Sequence, residues 1–449
     1  MTTAAKPEAQ VTIPQSAADF GLFEALIGRR SRRVGLGMSI PNGPLAYTSP
    51  YEPVPLSDDE RALLAFATAG VTGFNLGMLH TASGDPNAGA NYITRYMGRT
   101  TPSGAGVETS EALITDDTGT YITQTRDLTP QELGEIAQST TLEEFVAHAR
   151  RNLVKISDDP VRLPPSLPYI NKHNWWTALQ PGTTLVVPIA DASEYQMNFF
   201  TLLTGEGTIL WDPLTDEPIG KPERLITQGK LDPEARFPLT AFETWSYQQL
   251  HFELSLMPYN AQLALQAMGL GGWLFGGIDI NSLLGAHAES GHPGFGFTFD
   301  HSNPAAPNPV GLPGYFETLE PPFTTSAREA VERFASRKFG PSGIYDATGA
   351  GPYLKHQEIT SQVERFTDDA LDYFTSVVEG VRERYGRFPG TGPTIAAGVY
   401  TQATHLDTDY YEKFHHPKAL LDTHRNHFHD WHGGEAPKRK TNGETKHNA

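Results

Sequence analysis

A chain of 449 residues carries 34 basic against 52 acidic side chains, and no cysteine. The net charge of -18 argues against a nucleic-acid-binding surface and against attachment to anionic membranes, which leaves small molecules, peptides or other proteins as partners. Without cysteine there is no disulfide, no thiolate nucleophile and no Cys-ligated zinc or iron-sulfur cluster, so redox chemistry here would need a bound cofactor.

Residues 1–18 mix Thr, Ala, Pro and Gln with neither a basic start nor an apolar stretch, and read as a disordered lead-in rather than a signal peptide; the expected location is the cytoplasm. Four sequences pair a side-chain acceptor with a Glu three residues on, the mark of a helix start: Ser57 with Glu60, Thr129 with Glu132, Thr141 with Glu144 and Ser326 with Glu329. The first predicts a helix with Leu63, Leu64 and Phe66 on its apolar face, ending at Gly70, then a loop to about Asn91. Residues 111–115 and 120–124 flank Asp116-Asp117-Thr118-Gly119 and predict a hairpin. The run from Thr183 to Ala190 is apolar almost throughout, as in a strand buried on both faces.

A helix apolar around its whole circumference is predicted before Gly269, with Leu254, Met257, Ala261 and Met268 among its core positions. Residues 291–323 are rich in Gly, Pro and Asn and predict an extended arm. Two helices are expected beyond it, the second from His356 to about Tyr385, and residues 435–449 read as a disordered tail.

Three stretches carry chemistry. Arg29-Arg30-Ser31-Arg32-Arg33 packs four guanidinium groups into five residues, a self-repelling cluster that a phosphate dianion would stabilise. Pro102-Ser103-Gly104-Ala105-Gly106 and Gly276-Gly277-Ile278 offer bare backbone that can approach a flat ring. Each alone also fits a plain reading: a solvated helix end, an ordinary turn, a helix stop followed by a buried strand.

Their order and spacing resemble the FMN-dependent nitroreductase-like superfamily. Residues 21–28 stand as the helix before its R-R-S-x-R segment, and residues 55–64 are similar to the helix that follows. Arg99-Thr100-Thr101-Pro102-Ser103-Gly104-Ala105-Gly106 resembles the thiazoline and oxazoline oxidase (SagB-like) branch. The resemblance covers about residues 20–320. It implies an α+β fold with a mostly antiparallel central sheet flanked by helices, a homodimer, and FMN as cofactor.

It further implies that Arg29, Arg30, Ser31 and Arg33 hold the phosphate. Pro102, Ser103, Gly104, Gly276, Gly277 and Ile278 would hold the ring. Two-electron hydride transfer at flavin N5 would act on a small organic or peptide-derived substrate; a nitro or quinone reductase drawing on NAD(P)H is the alternative, and a flavin-free binding scaffold a third. The layout expected is a flavin-binding domain at 19–323 with an insertion at about 199–246, then a helical extension at 324–434. No late basic phosphate ligand matches, since Arg382, Arg384 and Arg387 lie at a helix end without a motif.

Other residues invite chemistry with less support. Asn174, Trp175 and Trp176, which follow His173, could stack on a substrate or ring, and His251 and Glu253 could move protons, yet structural roles are favoured for all of them. His415, His416, His424, His427, His429 and His432, with Asp422 and Asp430, suit zinc or iron by type. With no H-E-x-x-H and a tail alongside, they read as a solvated cluster, and no metal site is expected.

Overall fold

The computed structural model describes residues 10–79, 94–303 and 306–441. Its centre is a seven-stranded sheet in which every pairing is antiparallel. From one edge the strands run Gly271–Phe275, Tyr400–Thr404, Thr183–Asp191, Ser110–Asp116, Gly119–Thr123 and Leu153–Ser157. Ile395–Ala397 pairs with the far end of Thr183–Asp191, which is buried along its whole length as its apolar run predicts. The hairpin turns at Asp117 and Thr118 as expected.

One face of the sheet packs on a 30-residue helix, Leu239–Met268, and on Ala192–Gly205. Ala112, Ile114, Val186 and Ala403 point into that core, with Leu254, Ala261 and Leu265 opposite. Alternate residues of the same strands, Leu113, Val187, Trp273, Phe275 and Tyr400, face a second core beneath residues 161–178 and 278–297, as the two-residue period of a strand requires. The long helix ends at Gly269, whose φ of 73° is the left-handed stop that a glycine accepts without strain. Gly272 is also obligatory: a Cβ there would stand 2.3 Å from Leu265 Cδ1.

Three of the four helix starts form the full reciprocal box, at Ser57, Thr129 and Thr141. At the fourth, Ser326 caps the helix Ala327–Phe339, but the Glu329 carboxylate turns to the Thr325 amide and hydroxyl instead.

Several expectations are corrected. The lead-in is ordered from residue 10: Val11, Ile13 and Ala17 enter the first core and Gln15–Ala18 is helical. Val71–Phe74 is a strand paired with Met97–Arg99, where a loop was expected; the rest of that loop, residues 80–93, lies outside the described residues. The Gly/Pro-rich arm forms a three-stranded sheet, Thr298–Asp300, Asn308–Leu312 and Phe316–Glu317. The helix expected from His356 breaks after Thr360 and resumes at Asp368–Tyr385.

The tail is pinned at its start, where Glu52 and Lys440 amides bond to Lys438 and Pro50 carbonyls; residues 442–449 lie outside the described residues. The span taken as an insertion opens inside Ala192–Gly205 and closes inside the long helix, with a small sheet, Ile209–Asp212, Glu217–Pro218 and Arg236–Pro238, between them.

The largest correction concerns residues 324–434, which are not a helical extension. Tyr400–Thr404 sits between Gly271–Phe275 and Thr183–Asp191 and completes the central sheet. Its polar side chains are buried because each finds a partner. Gln402 accepts from the Leu179 amide and donates to the Thr177 carbonyl, and Thr401 donates to the Pro258 carbonyl. Among the described residues no helix is long and apolar enough to cross a membrane.

Candidate functional site

The edge strand Gly271–Phe275 organises the site. Its outer side is covered by the arginine segment, in which the Arg32 amide donates to the Gly272 carbonyl at 3.1 Å. The segment is extended there, so neighbouring side chains take opposite directions: Arg32 is buried, while Arg29, Arg30, Ser31 and Arg33 are exposed.

Arg32 is thereby spent on structure. It donates to the Ala419 carbonyl, Gln266 Oε1 and the Gly28 carbonyl, and burial pulls its guanidinium down to about 10. The other three arginines are exposed to solvent. Arg30 also donates to the Ile27 and Arg29 carbonyls, at the end of the short helix Leu22–Gly28. Arg33 lies over the Trp273 ring, 4.2 Å from its centre, and Trp273 stacks at 3.7 Å on Phe275.

The same strand runs on into Gly276 and Gly277. Gly276 is exposed, and a Cβ there would meet only Val399 Cγ1, at an ordinary contact distance of 3.9 Å. Gly277 is fixed by protein: its carbonyl accepts from the Asn171 amide, and a Cβ would meet Asn174 Nδ2 at 2.0 Å. Ile278 is buried and its amide donates to the Tyr400 hydroxyl, which itself donates to the Ile278 carbonyl. That amide is therefore occupied, and of the expected ring donors at this turn Ile278 is withdrawn.

The wall of the site is the segment from Ile170 to Gln180, which touches Gly277 through Asn171 and the Arg33 carbonyl through the Thr177 hydroxyl. Here His173, Trp175 and Trp176 line a cleft of about 790 Å³ with Ile40 and Lys172, a size suited to small molecules. Trp175 is partly spent on packing, its Nε1 donating to the Ile170 carbonyl.

Pro102, Ser103 and Gly104 sit apart from this group within one chain. The Tyr195 hydroxyl donates to the Gly104 carbonyl at 3.3 Å, Gln249 of the long helix stands beside it, and Ser103 Oγ accepts from the Glu108 amide at 3.0 Å. The turn encloses two buried carboxyl groups that the motif did not announce. Burial pushes Glu108 up to about 8, with Arg99 at 3.8 Å opposing the shift. Glu253 accepts from the Ser110 hydroxyl. His251, in contrast, is exposed and its Nδ1 bonds to the Tyr247 carbonyl. The late arginines are engaged: Arg382 pairs with Glu320 and Arg384 with Asp212.

No family profile matches the chain, and no curated protein matches it. Among solved structures, one described as a candidate nitroreductase from Ralstonia eutropha JMP134 is 16% identical over 61% of this chain and 75% of its own, with a TM-score of 0.26. A superposition that loose carries no residue role across.

The histidine segment is not solvated throughout. His424 and His427 are buried, and burial together with nearby Arg32 pulls His424 down to about 3. Sequence spacing alone missed this because the His427 ring folds back against the first turn of a helix more than three hundred residues earlier.

Proposed function

We propose that the chain is an FMN-dependent oxidoreductase of nitroreductase-like fold, acting by two-electron hydride transfer on a small organic or peptide-derived substrate. The observation that carries this reading is the edge strand: it sets exposed Arg33 over Trp273 and, three residues on, opens into exposed Gly276. Three residues of strand span roughly 10 Å, a length comparable with the chain that separates a flavin's phosphate from its ring.

Arg29, Arg30, Ser31 and Arg33 fit the phosphate by type, since all four are exposed on one short segment that follows the helix Leu22–Gly28. Gly276 and Gly277 fit the ring edge, and the cleft beside Trp175 and Trp176 fits the substrate. Bound FMN would supply a two-electron acceptor at N5. The protein's share is to hold that atom beside backbone rather than beside a reactive side chain, and to keep Trp273 and Phe275 stacked beneath the phosphate-binding arginines.

The active form in this reading is a homodimer. Leu22, Phe23, Leu26 and Ile27 are exposed beside the long helix, and Phe252, Leu256, Tyr259 and Leu263 form an outward apolar stripe along it. Gly104 lies one turn from Phe252, beside Gln249. In this reading the Pro102–Gly104 turn would serve the flavin site of a second copy packed on this stripe. Titration of the protein into FMN tests the proposal: quenching of flavin fluorescence that saturates at one FMN per chain is expected, and no quenching would contradict it.

A further inference from the structure

Glu60, His405, His427 and His432 meet in the interior, with one ligand atom from each lying within 4.8 Å of all the others. Glu60 belongs to the first turn of the helix Asp58–Ala69, His405 directly follows the strand Tyr400–Thr404, His427 lies on the helix Asp422–Trp431, and His432 caps its end. Glu60, His405 and His427 are buried and His432 is about one-fifth exposed.

The orientation of the rings is the informative part. His405 Nδ1 lies 2.9 Å from the Val54 carbonyl and His427 Nδ1 lies 2.8 Å from the Met268 carbonyl. A carbonyl oxygen only accepts, so both rings donate through Nδ1, and in the neutral form each turns a bare Nε2 lone pair inward. Glu60 is oriented in the same way. Its Oε2 accepts from the Ser57 amide at 2.6 Å, leaving Oε1 to face the imidazoles. From Oε1 the three Nε2 atoms stand at 3.2 Å (His405), 3.0 Å (His427) and 3.5 Å (His432).

Three acceptors thus converge on one point, with His432 Nε2 beside them. The Nε2 atoms of His427 and His432 have no hydrogen-bond partner, and acceptors facing acceptors in a closed interior are unfavourable unless a cation sits among them. Filling the gap with protons instead would set up to three imidazolium charges around one carboxylate. A tetrahedral zinc ion with bonds of about 2.0–2.1 Å spaces its ligand atoms about 3.3 Å apart, and the Glu60 distances bracket that value. Carbonyl acceptors behind ligating imidazoles are the usual outer support of such a site.

We propose that Glu60, His405, His427 and His432 bind a divalent first-row transition metal, zinc by geometry, in a closed structural site. Four protein ligands leave no open position for substrate. The metal ties the first turn of the helix Asp58–Ala69 to the end of the helix Asp422–Trp431, through His405 at the end of the interior strand Tyr400–Thr404. It stands independently of the flavin reading.

The test is elemental analysis of the full-length protein, followed by chelator treatment and titration with Co²⁺, on wild type, Glu60→Gln and His432→Gln. One zinc per chain, tetrahedral cobalt absorption on reconstitution, and a melting temperature lowered by about 5–10 °C on metal removal are expected. His432→Gln, at the most exposed ligand, should fold by circular dichroism yet bind metal at least about a hundredfold more weakly. Absence of stoichiometric metal with no cobalt absorption overturns the proposal. Undiminished metal affinity in a folded His432→Gln protein overturns the ligand set.

Discussion

The guanidinium carbon of Arg33 stands 4.2 Å from the centre of the Trp273 indole, in the middle of a strand that runs on into the exposed Gly276. Stacking of this kind holds a planar cation in place without neutralising it, so the charge stays available to an anion. Arg33→Ala should weaken FMN binding by about 10–100-fold, the worth of one charge-assisted contact. Arg33→Lys should recover only part of it, because an ammonium neither stacks nor forks. Fluorescence titration reads both; equal affinity in all three proteins would remove Arg33 from the site.

The neighbouring arginines should separate by role. Arg32→Ala leaves three buried acceptors without a donor, at Ala419, Gln266 and Gly28, and should cost about 2–4 kcal/mol of stability. Arg29→Ala, on the exposed side, should stay within about 0.5 kcal/mol. Chemical denaturation of the two variants checks this, and a stable Arg32→Ala protein would contradict the buried anchoring.

Glu108 predicts a pH effect with a definite sign. Burial raises its carboxyl to about 8, against an ordinary value of 4.5, so the folded chain keeps a proton that the unfolded chain has released. Its share of stability is therefore complete below about pH 4.5 and is lost as the pH rises towards 8. Glu108→Gln should match wild type near pH 5 and exceed it by about 1–3 kcal/mol at pH 8, as the difference between two denaturation series. A variant less stable than wild type at pH 8 would show that the ionised form is the one the fold requires.

The outward apolar face predicts a dimer that charge can break. Phe23 and Phe252 are 76% and 59% exposed in the single chain, so replacing either costs the fold little. Phe23→Glu and Phe252→Glu should sediment as monomers where wild type sediments as a dimer, with unchanged circular dichroism. A monomeric wild type would overturn the second-copy assignment.

Much of the architecture was legible locally. The Ser57–Glu60 box, the Asp117-Thr118 turn, the apolar run before Asp191 and the left-handed stop at Gly269 are written in neighbouring residues. Tyr400–Thr404 was not, because its buried Thr and Gln side chains erase the apolar alternation and are satisfied by backbone groups of distant segments. Arg32 was left out of the phosphate set only by resemblance, and the physical reason, its inward direction, came with the bridge to Gly272. Glu60 was legible as a helix cap, but its second oxygen faces histidines whose sequence distance carries no signal.

The most direct measurement is the absorption spectrum of the purified protein, with any heat-released cofactor identified by mass spectrometry, for wild type and Arg29→Ala/Arg33→Ala. The account predicts a yellow wild type that releases FMN and a folded double variant that has lost it. A colourless wild type that FMN cannot reconstitute would contradict the oxidoreductase reading and leave the fold as a flavin-free binding scaffold.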